Sequence, residues 1–527
     1  MRKQPEIPFV GLHAHSVAGS IFDALGYPQQ HMDFAYENGM DALALTDHGN
    51  ANGLAYQVIH AKKMMAENRE FKPIFGCEAY FVPSVANWKE DYDKAREEAK
   101  NKKALESSQS GTTVEQEGAS KKKKSILNRR SHMILLAMNQ VGLQNIYKMI
   151  SKSYTGDHFY RYPRIDYALL KKHSEGVIAA SACLGGVYAG DYWQNRDLGE
   201  DAVLDAMRKT TQKMQSIFGD RWYGELQWNN VPEQHTLNQF IIQMHYEFGI
   251  ELISTADSHY YSPDAWKDRE LYKRLGFLGR KVEWLSEELP IDVEEIGYEL
   301  YPKNGDQMWE SYKKYSKGCN VDYDDNLILN SISRTYDIAH NRIETFLPDS
   351  NVRLPDFVVP DGKSAGQALA VLCVAGAKEK GFADNTEYVE RLKYEVNVID
   401  ERGFSKYFLT MKKIAEEATR MQLTGAGRGS AAGSLVAYAL GITQIDPIRY
   451  GLQFERFLTK GGSGYPDIDY DVSDPMVLKE HLIEEWGDDV VVPITNWNTL
   501  QLRSLVKDIS KFYKIPFAEV NSVTNKM

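Results

Sequence analysis

Two short segments in the last fifth of the chain carry residue types suited to phosphate and metal chemistry. Gly427-Arg428-Gly429-Ser430 is a glycine-rich turn, whose backbone amides can approach phosphate groups closely. Asp467, Asp469 and Asp471 follow at alternate positions, so a strand there would place three carboxylates on one face. Crowded carboxylates are costly unless a cation neutralises them. The two segments therefore predict part of a phosphoryl-transfer site that binds Mg²⁺ together with a nucleoside triphosphate.

A second set of residues with metal-binding side chains lies at the ends of short apolar segments. Histidine, cysteine, aspartate and glutamate bind Zn²⁺, Mn²⁺ or Fe²⁺, and in α/β barrels functional side chains collect on the rim at the strand ends. Any one of them alone would be a core histidine or a small buried hydrophobe. Their repetition from one strand to the next favours a metal site. The set comprises His13, His15, Asp23, His48, Glu78, His132, Cys183, Asp257 and His259.

The segments that would position these residues alternate between strands and helices. Apolar runs typical of strands lie at residues 9–12, 42–45, 73–76, 133–137, 177–181 and 251–256. Helical patterns at 29–38 and 52–67 separate the first three runs, which favours a parallel α/β sheet or barrel. Residues 260–345 are predicted to be mostly helical, and the proline-rich run 344–362 is typical of a linker between domains.

One charged segment interrupts this alternation. Residues 88–131 are rich in Lys, Glu and Ser, and they include the basic run Lys121 to Lys124 and the pair Arg129 and Arg130. We interpret the segment as a solvated, partly disordered insertion. The alternative is a basic finger that touches nucleic acid.

The composition narrows the class of protein. A chain of 527 residues is long enough for two to four domains. It has no run of about 18 apolar residues and no signal-peptide core, so we expect no membrane span and a cytoplasmic location. Four scattered cysteines without a CxxC pair indicate a reducing compartment. The net charge of −11 argues against a protein that coats nucleic acid non-specifically, but not against an enzyme with a local nucleic-acid groove.

The nine candidate ligands give the first part of the chain a resemblance to the PHP (polymerase and histidinol phosphatase) domain. That resemblance implies a distorted seven-stranded β/α barrel that holds three metal ions, here Zn²⁺ or Mn²⁺, and attacks phosphoesters with an activated water. Asp47, beside His48, is a candidate for a residue that contacts the metal ligands without binding a metal itself. Because every ligand position is filled, the resemblance implies an active phosphodiesterase, namely a 3′→5′ proofreading exonuclease.

The later segments resemble the catalytic α subunit of bacterial DNA polymerase III, the C family of DNA polymerases. The matching segments are residues 403–409, 425–438, 446–447, 454–458 and 466–471. With the PHP match, the resemblance covers essentially the whole chain. It implies a PHP domain over 1–275, a helical connection over 276–345, the first part of a nucleotidyltransferase-type α+β palm over 346–500, and the start of a thumb over 501–527.

The resemblance also implies roles for individual palm residues. Asp469 and Asp471 would bind the Mg²⁺ ions that activate the primer 3′-hydroxyl and stabilise the leaving pyrophosphate, and Asp467 stays open as a third ligand. Gly429 and Ser430 would cradle the triphosphate of the incoming dNTP, while Arg428 would pair with phosphate oxygens. Arg456 has two open interpretations, a phosphate contact or an ion pair with an acid such as Glu455.

The sequence departs from the C-family pattern in two ways. Residues 459–465 replace the usual Asn-Pro-Glu-Arg and apolar link, and Val472 replaces a phenylalanine. A third palm aspartate, the fingers and the clamp-binding region are not found. Two explanations stay open, a split polymerase completed by a second polypeptide and a truncated product. The first is favoured because a cut through the thumb would expose apolar surface.

Three functions compete on this evidence. The first is a part of a replicative DNA polymerase with proofreading, which acts on primed template DNA and reaches replisome proteins such as the sliding clamp through the missing half. The second is a stand-alone PHP phosphoesterase with a vestigial palm, and the third a non-enzymatic replisome scaffold. The complete ligand set argues against the scaffold, and the Gly-Arg-Gly-Ser and Asp-x-Asp segments argue against the vestigial palm. The host is either a bacterium or a phage that infects one.

Overall fold

The computed structural model divides the chain into two compact units, each described by itself. The barrel unit comprises residues 1–348 and 501–527, and the helical unit residues 349–500. The structure describes all residues except 1–3, 109–129, 279–297, 350–356, 360–361, 489, 493 and 495–498. The predicted basic run at 121–124 therefore lies outside the described residues. Among the described residues no helix is both long and apolar enough to cross a membrane.

Eight strands form one sheet in the barrel unit. They are β1 (Ala42–Leu45), β2 (Lys72–Phe81), β3 (Ser131–Ala137), β4 (Phe159–Tyr160), β5 (Tyr162–Ile165), β6 (Val177–Ala180), β7 (Trp222–Gln227) and β8 (Glu251–Thr255). Their order is β4-β5-β2-β3-β6-β7-β8, with β1 paired to β2. Strand β3 runs antiparallel to both β2 and β6, whereas β1–β2, β6–β7 and β7–β8 are parallel pairs. The start of β3 therefore lies at the same edge of the sheet as the ends of its neighbours.

Residues 9–15 connect β1 with the segment that follows β8. Gly11 forms a parallel bridge with Leu43 of β1, and Ala14 forms one with Ser258, just beyond β8. The backbone bonds Ala44 N to Gly11 O (2.8 Å) and His15 N to Ser258 O (2.7 Å) hold these contacts. Single bridges take the place of the strand predicted at 9–12. The curled sheet confirms the predicted distorted α/β barrel.

Helices surround the sheet. They are α1 (Pro28–Glu37), α2 (Leu54–Ala66), α3 (Val85–Ser108), α4 (Gln140–Ser153), α5 (Tyr167–Lys172), α6 (Val187–Asn195), α7 (Glu200–Phe218), α8 (Pro232–Phe248), α9 (Trp266–Leu275), α10 (Gly305–Gly318) and α11 (Asp325–Asp337). The barrel unit also includes α17 (Leu502–Phe512) and α18 (Phe517–Thr524), which pack against each other. Alternate strand residues face opposite ways. Ala42 and Ala44 accordingly belong to the cluster inside the barrel, whereas Leu43 and Leu45 pack into the outer core.

The charged segment begins in an ordered helix, which corrects part of our interpretation. Helix α3 runs through the first half of residues 88–131, and its Trp88 and Tyr92 are buried at 3% and 9% exposure. Val85, Trp88 and Tyr92 recur at helical spacing, so they form one apolar stripe on an otherwise charged helix. The high overall charge of the segment favoured a solvated insertion, so the sequence analysis did not predict this apolar stripe. Most of its remaining part lies outside the described residues.

The helical unit consists of α12 (Ala365–Glu379), α13 (Thr386–Glu401), α14 (Ser405–Met421), α15 (Leu435–Ala439) and α16 (Pro475–Trp486). Its core includes Phe408, Leu435 and Phe454. No strand forms at 466–471 in the described part of this unit, so the predicted strand is wrong. A ladder needs a neighbouring strand for its backbone groups, and the only pairing described here is the Thr424–Val472 bridge.

Candidate metal centre and phosphate-binding loop

All nine candidate metal ligands converge at one edge of the barrel. They reach it from the ends of β1, β6 and β8, from within β2, from the start of β3, and from the loop after residue 12. His132 joins the group from the first residues of a strand because β3 is antiparallel. The structure thus brings together every member of the set that the sequence predicts, and their role as ligands stays a prediction.

The carboxylate of Glu78 lies at the middle of the cluster and is fully buried. Its Oε1 is 3.0 Å from His132 Nδ1 and 3.5 Å from His13 Nε2. Its Oε2 is 2.5 Å from His48 Nδ1 and 3.5 Å from His15 Nε2. Cys183 Sγ lies 3.9 Å from Glu78 Oε1. One carboxylate is thus shared by five neighbouring donor groups.

The remaining acids close the cluster on the other side. Asp257 Oδ1 lies 3.0 Å from His13 Nε2 and 3.4 Å from His259 Nδ1. Asp23 Oδ2 lies 3.1 Å from His48 Nε2 and 3.6 Å from His259 Nε2. The other carboxylate oxygen of Asp23 accepts a hydrogen bond from Arg269 Nη2 (2.7 Å), which holds this acid in place.

Backbone strain accumulates at the same edge. Asp257 has a φ of +47°, and the residues just before Asp23 and Cys183, Phe22 and Ala182, have φ values of +57° and +60°. Residues other than glycine rarely adopt the left-handed region of positive φ, because it costs them about 1–2 kcal/mol each. Such strain persists where surrounding contacts enforce it, and functional sites are where it clusters.

The chemistry of the donors fits divalent ions. Three buried atoms in the cluster, His48 Nδ1, Glu78 Oε2 and Asp257 Oδ1, lie close to other polar atoms but form no well-directed hydrogen bond with any described residue. Unpaired buried polar atoms are costly, and a cation would satisfy all three. Within this cluster, three sets of side chains have ligand atoms close enough to share an ion: His15 with His48 and His259, His13 with His15 and Glu78, and His48 with Glu78 and His132.

Burial and mutual charge shift the protonation equilibria strongly. Burial, His48 and His259 hold the pKa of His15 well below its ordinary value. Burial lowers the pKa of His13, but the carboxylates of Asp257 and Glu225 outweigh it and place that pKa well above normal. Burial with the charges of Asp257 and Glu78 raises the pKa of the Cys183 thiol. The sulfur therefore becomes a thiolate only when a cation compensates the charge.

Two buried acids hold the histidines from outside the cluster. Glu225 of β7 lies 2.7 Å from His13 Nδ1 through its Oε1. Asp47 accepts from the hydroxyl of Ser20 (2.9 Å), whose oxygen lies 3.2 Å from His15 Nδ1. Asp47 was singled out from the sequence, whereas Glu225 was missed.

A signal for Glu225 was present in the sequence. Glu225 and Gln227 are polar residues at alternate positions of an otherwise apolar strand, and both are buried. Alternation puts them on one face together. A polar pair on the inner face of a barrel strand indicates a buried polar partner.

The glycine-rich turn and the acidic segment lie against each other in the helical unit. A methyl group on Gly429 would come within 2.5 Å of Asp469 Oδ2, and one on Gly425 within 2.8 Å of Asp471 Cβ. Gly429 has a φ of +66°, a conformation that favours glycine. The amide of Gly425 donates to Asp471 O (2.9 Å). Only glycine permits so close an approach.

The other palm candidates lie at the surface of this unit. Arg428 Nη1 is 3.2 Å from Asp471 Oδ1, with both side chains more than half exposed. Ser430 and Asp467 are exposed. Arg456 is exposed as well, and it makes no ion pair within the described part of the chain, so the suggested pair with Glu455 does not form.

A buried carboxylate fixes the chain just after the turn. Glu395 of α13 is fully buried and accepts from Ser434 Oγ (2.9 Å) and Val436 N (3.0 Å). Ser434 in turn caps α15 by accepting from Ala437 N (3.1 Å). Arg391 Nε donates to the other oxygen of Glu395 (2.6 Å). This network anchors the chain that follows the turn.

Two family models match consecutive parts of the chain. The family model of the PHP domain matches residues 11–229, and the model of the bacterial DNA polymerase III alpha NTPase domain matches residues 367–527. A solved structure of an amidohydrolase from Chromobacterium violaceum, with bound sulfate and no metal, is 13% identical and has a TM-score of 0.27. It covers 50% of this chain and 96% of that chain.

Curated relatives align along nearly the whole chain. DNA polymerase III subunit alpha of Aquifex aeolicus and that of Borreliella burgdorferi are each 32% identical over 98% of this chain. The chain spans only about 40% of the length of either protein. The chain therefore contains a PHP domain and a bacterial DNA polymerase III alpha NTPase domain, and along nearly its whole length it is similar to DNA polymerase III alpha subunits.

Proposed function

We propose that the barrel unit is a metal-dependent phosphodiesterase that removes nucleotides from the 3′ end of DNA. The observation that carries this proposal is the convergence of nine metal-type side chains around the buried Glu78. A structural role explains single buried histidines, but it does not explain three buried polar atoms that form no well-directed hydrogen bond with any described residue. Polymerase relatives make DNA the expected phosphodiester substrate.

Different residues of the cluster would have different roles in phosphodiester hydrolysis. Bound divalent ions, Zn²⁺ or Mn²⁺ on this donor set, supply Lewis acidity for phosphoester hydrolysis. Glu78 and Asp257 supply negative charge at the centre of the cluster, while the histidines fix the geometry around them. Glu225 accepts the Nδ1 proton of His13, which leaves Nε2 of that ring facing the cluster.

A nuclease assay tests the proposal directly. A 5′-labelled single-stranded oligonucleotide is incubated with the full chain and Mn²⁺ or Zn²⁺, without nucleotides and with an EDTA control. We expect a ladder of products shortened from the 3′ end, absent in EDTA and in His13→Gln. His173→Gln, a histidine substitution at the end of α5 outside the cluster, is the matched control.

Two outcomes would contradict the assignment. Digestion that persists in His13→Gln would place the activity elsewhere or in a contaminant. A folded, metal-loaded chain without any digestion would mean that the cluster has a structural role, as in the scaffold hypothesis.

A second function, nucleotidyl transfer, is proposed for the helical unit. Its support is the approach of Gly429 and Gly425 to Asp469 and Asp471, because a turn with accessible amides beside two acids suits Mg²⁺ and a triphosphate. We expect Mg²⁺-dependent binding of a fluorescent dNTP that is lost in Asp469→Asn. Equal binding by that variant would refute the role of Asp469.

Polymerisation itself is proposed only for a complete polymerase, because the relatives are about two and a half times as long as the matched region. Primed template DNA as substrate, the sliding clamp as partner and a cytoplasmic location follow from that proposal. A phosphoesterase with a vestigial palm is the alternative, and failure of the dNTP-binding experiment with intact nuclease activity would favour it.

A further inference from the structure

A small group of aromatic and cationic side chains borders the metal cluster, and the mechanism above does not use it. We call Tyr80, Arg130 and Tyr162 the aromatic wall. Tyr80 lies two residues after Glu78 on β2 and pairs with His132 across the β2–β3 ladder. Its ring centroid is 5.4 Å from that of His132. The wall therefore begins directly at the cluster.

The three side chains of the wall contact one another. The guanidinium of Arg130 lies 3.6 Å from the ring centroid of Tyr162 and 5.0 Å from that of Tyr80. The two tyrosine rings meet edge to face at 5.3 Å. On the cluster side, the Tyr80 ring is stacked with His48 at 6.1 Å and an interplanar angle of 12°. The wall is thus continuous from the cluster to Arg130.

A purely structural role does not account for this arrangement. The neighbouring hairpin of β4 and β5 is already held by Arg164, which is fully buried and donates to the carbonyls of Tyr160 (2.9 Å) and Tyr162 (3.0 Å). Arg130 and the tyrosines of the wall are instead partly exposed. Neither the Tyr80 nor the Tyr162 hydroxyl has a hydrogen bond to any described residue. Two phenol hydroxyls without a partner among the described residues therefore lie beside the cluster, next to the guanidinium of Arg130 that contacts both rings.

We infer that the aromatic wall binds the single-stranded DNA strand next to the scissile phosphodiester. The guanidinium and the phenol hydroxyls suit phosphate oxygens, and aromatic faces beside a cation suit nucleobases without selecting a sequence. This inference rests on the proposed nuclease function and names its substrate, a polynucleotide end in preference to a small phosphoester.

The test compares two substrates in the full chain. Arg130→Gln and Tyr162→Ala are assayed with Mn²⁺ on oligo-dT and on bis(p-nitrophenyl) phosphate, which has no strand to bind. The ratio of kcat/KM for oligo-dT to kcat/KM for the small diester is expected to fall about 10-fold, the equivalent of one stacked base or phosphate contact. Arg161→Gln, an exposed arginine in the same hairpin, is the matched control and should keep the wild-type ratio.

A second readout does not depend on activity. An oligonucleotide with 5-iodouracil near its 3′ end is irradiated with the wild-type chain in EDTA, and the crosslinked peptides are identified by mass spectrometry. We expect crosslinks to the peptide that contains Tyr80 or to the one that contains Tyr162.

Each outcome decides one question. An unchanged substrate ratio in Arg130→Gln and Tyr162→Ala, or crosslinks confined to other peptides, would overturn the wall as a strand-binding site. Equal losses on both substrates would also overturn it, because the wall would then support the cluster. If the wild-type chain hydrolyses neither substrate, the nuclease proposal is refuted. The crosslinking experiment then still tests whether the aromatic wall binds DNA.

Discussion

Replacing Glu225 tests whether a residue outside the candidate ligands sets the metal affinity of the cluster. Glu225 is 1% exposed. Its Oε1 accepts from Thr255 Oγ1 (2.5 Å) and Gln227 Nε2 (3.0 Å), in addition to lying 2.7 Å from His13 Nδ1. Because this oxygen already accepts from Thr255 and Gln227, it is the acceptor of the pair with His13, which donates from Nδ1. When a cation replaces the second ring proton, the Nε2 lone pair is directed at the cluster.

The structure sets the size of the effect. Glu225→Ala leaves three buried donors without their acceptor, and breaking a buried charged network by removing one partner costs about 3–5 kcal/mol. Glu225→Gln keeps the volume and one carbonyl oxygen, so we expect a loss of about 1–2 kcal/mol. Partners of metal-binding histidines change metal affinity about 10–100-fold. Both variants are expected to show that loss.

Two measurements separate folding from metal binding. Hydrogen exchange of the β7 and β8 amides in EDTA gives the free energy of local opening, which is defined even though the chain has two units. Competition with a chromophoric chelator gives the affinity for Zn²⁺. Glu175→Gln, the same substitution at an exposed residue of the barrel unit, is the matched control.

Metal affinity is the measurement that can refute the reasoning. If β7 and β8 open more readily in Glu225→Gln but the variant binds Zn²⁺ as tightly as the wild type, Glu225 only stabilises the contact between β7 and β8 through its hydrogen bonds. If neither quantity changes, the hydrogen bond to His13 does not orient the ring.

Three further predictions concern other buried or strained positions. Gly429→Ala should weaken Mg²⁺-dependent dNTP binding about 10-fold, because the added methyl would lie 2.5 Å from Asp469 Oδ2 and displace it. Glu395→Gln should reduce protection of the α15 amides in hydrogen exchange by about 1–2 kcal/mol, since an amide replaces the charged acceptor of Ser434 Oγ and Val436 N. Burial lowers the pKa of His31 to about 4, so the folded state stays neutral where the unfolded state binds a proton. Acidification from pH 7.5 to pH 5 should therefore cost the wild type about 2 kcal/mol that His31→Leu does not lose, as measured by urea unfolding of the barrel unit.

Each of these predictions has a control or a contradicting result. Gly451→Ala imposes the same left-handed strain with no atom nearby, so equal dNTP affinities in Gly451→Ala and Gly429→Ala would show that contact with Asp469 is unimportant. Glu390→Gln, on the exposed face of α13, should leave α15 protection unchanged. For His31, parallel pH profiles of wild type and variant would mean that the buried ring is protonated in the folded state.

Sequence reasoning succeeded where the chemistry follows from how strands are arranged. Strand ends in a parallel sheet meet at one edge, so residues such as His48 and Asp257 could be grouped before their contacts were known. His132 fitted the group although it begins its strand, because β3 is the antiparallel member of the sheet. Glu225 was missed because the sequence analysis predicts no strand at residues 222–227, and its partner His13 is 212 residues away.

The second site shows the limit of the same reasoning. Alternation of Asp469 and Asp471 predicts a strand, yet alternation requires no ladder, and none forms at residues 466–471. What joins these acids to the turn is close backbone approach, and the residue type that signals it is glycine. Gly429 at a φ of +66° and Gly427 at +143° adopt conformations that other residues avoid. A site on loops is therefore predictable from the glycines that permit contact, even where the secondary structure assigned to its acids is wrong.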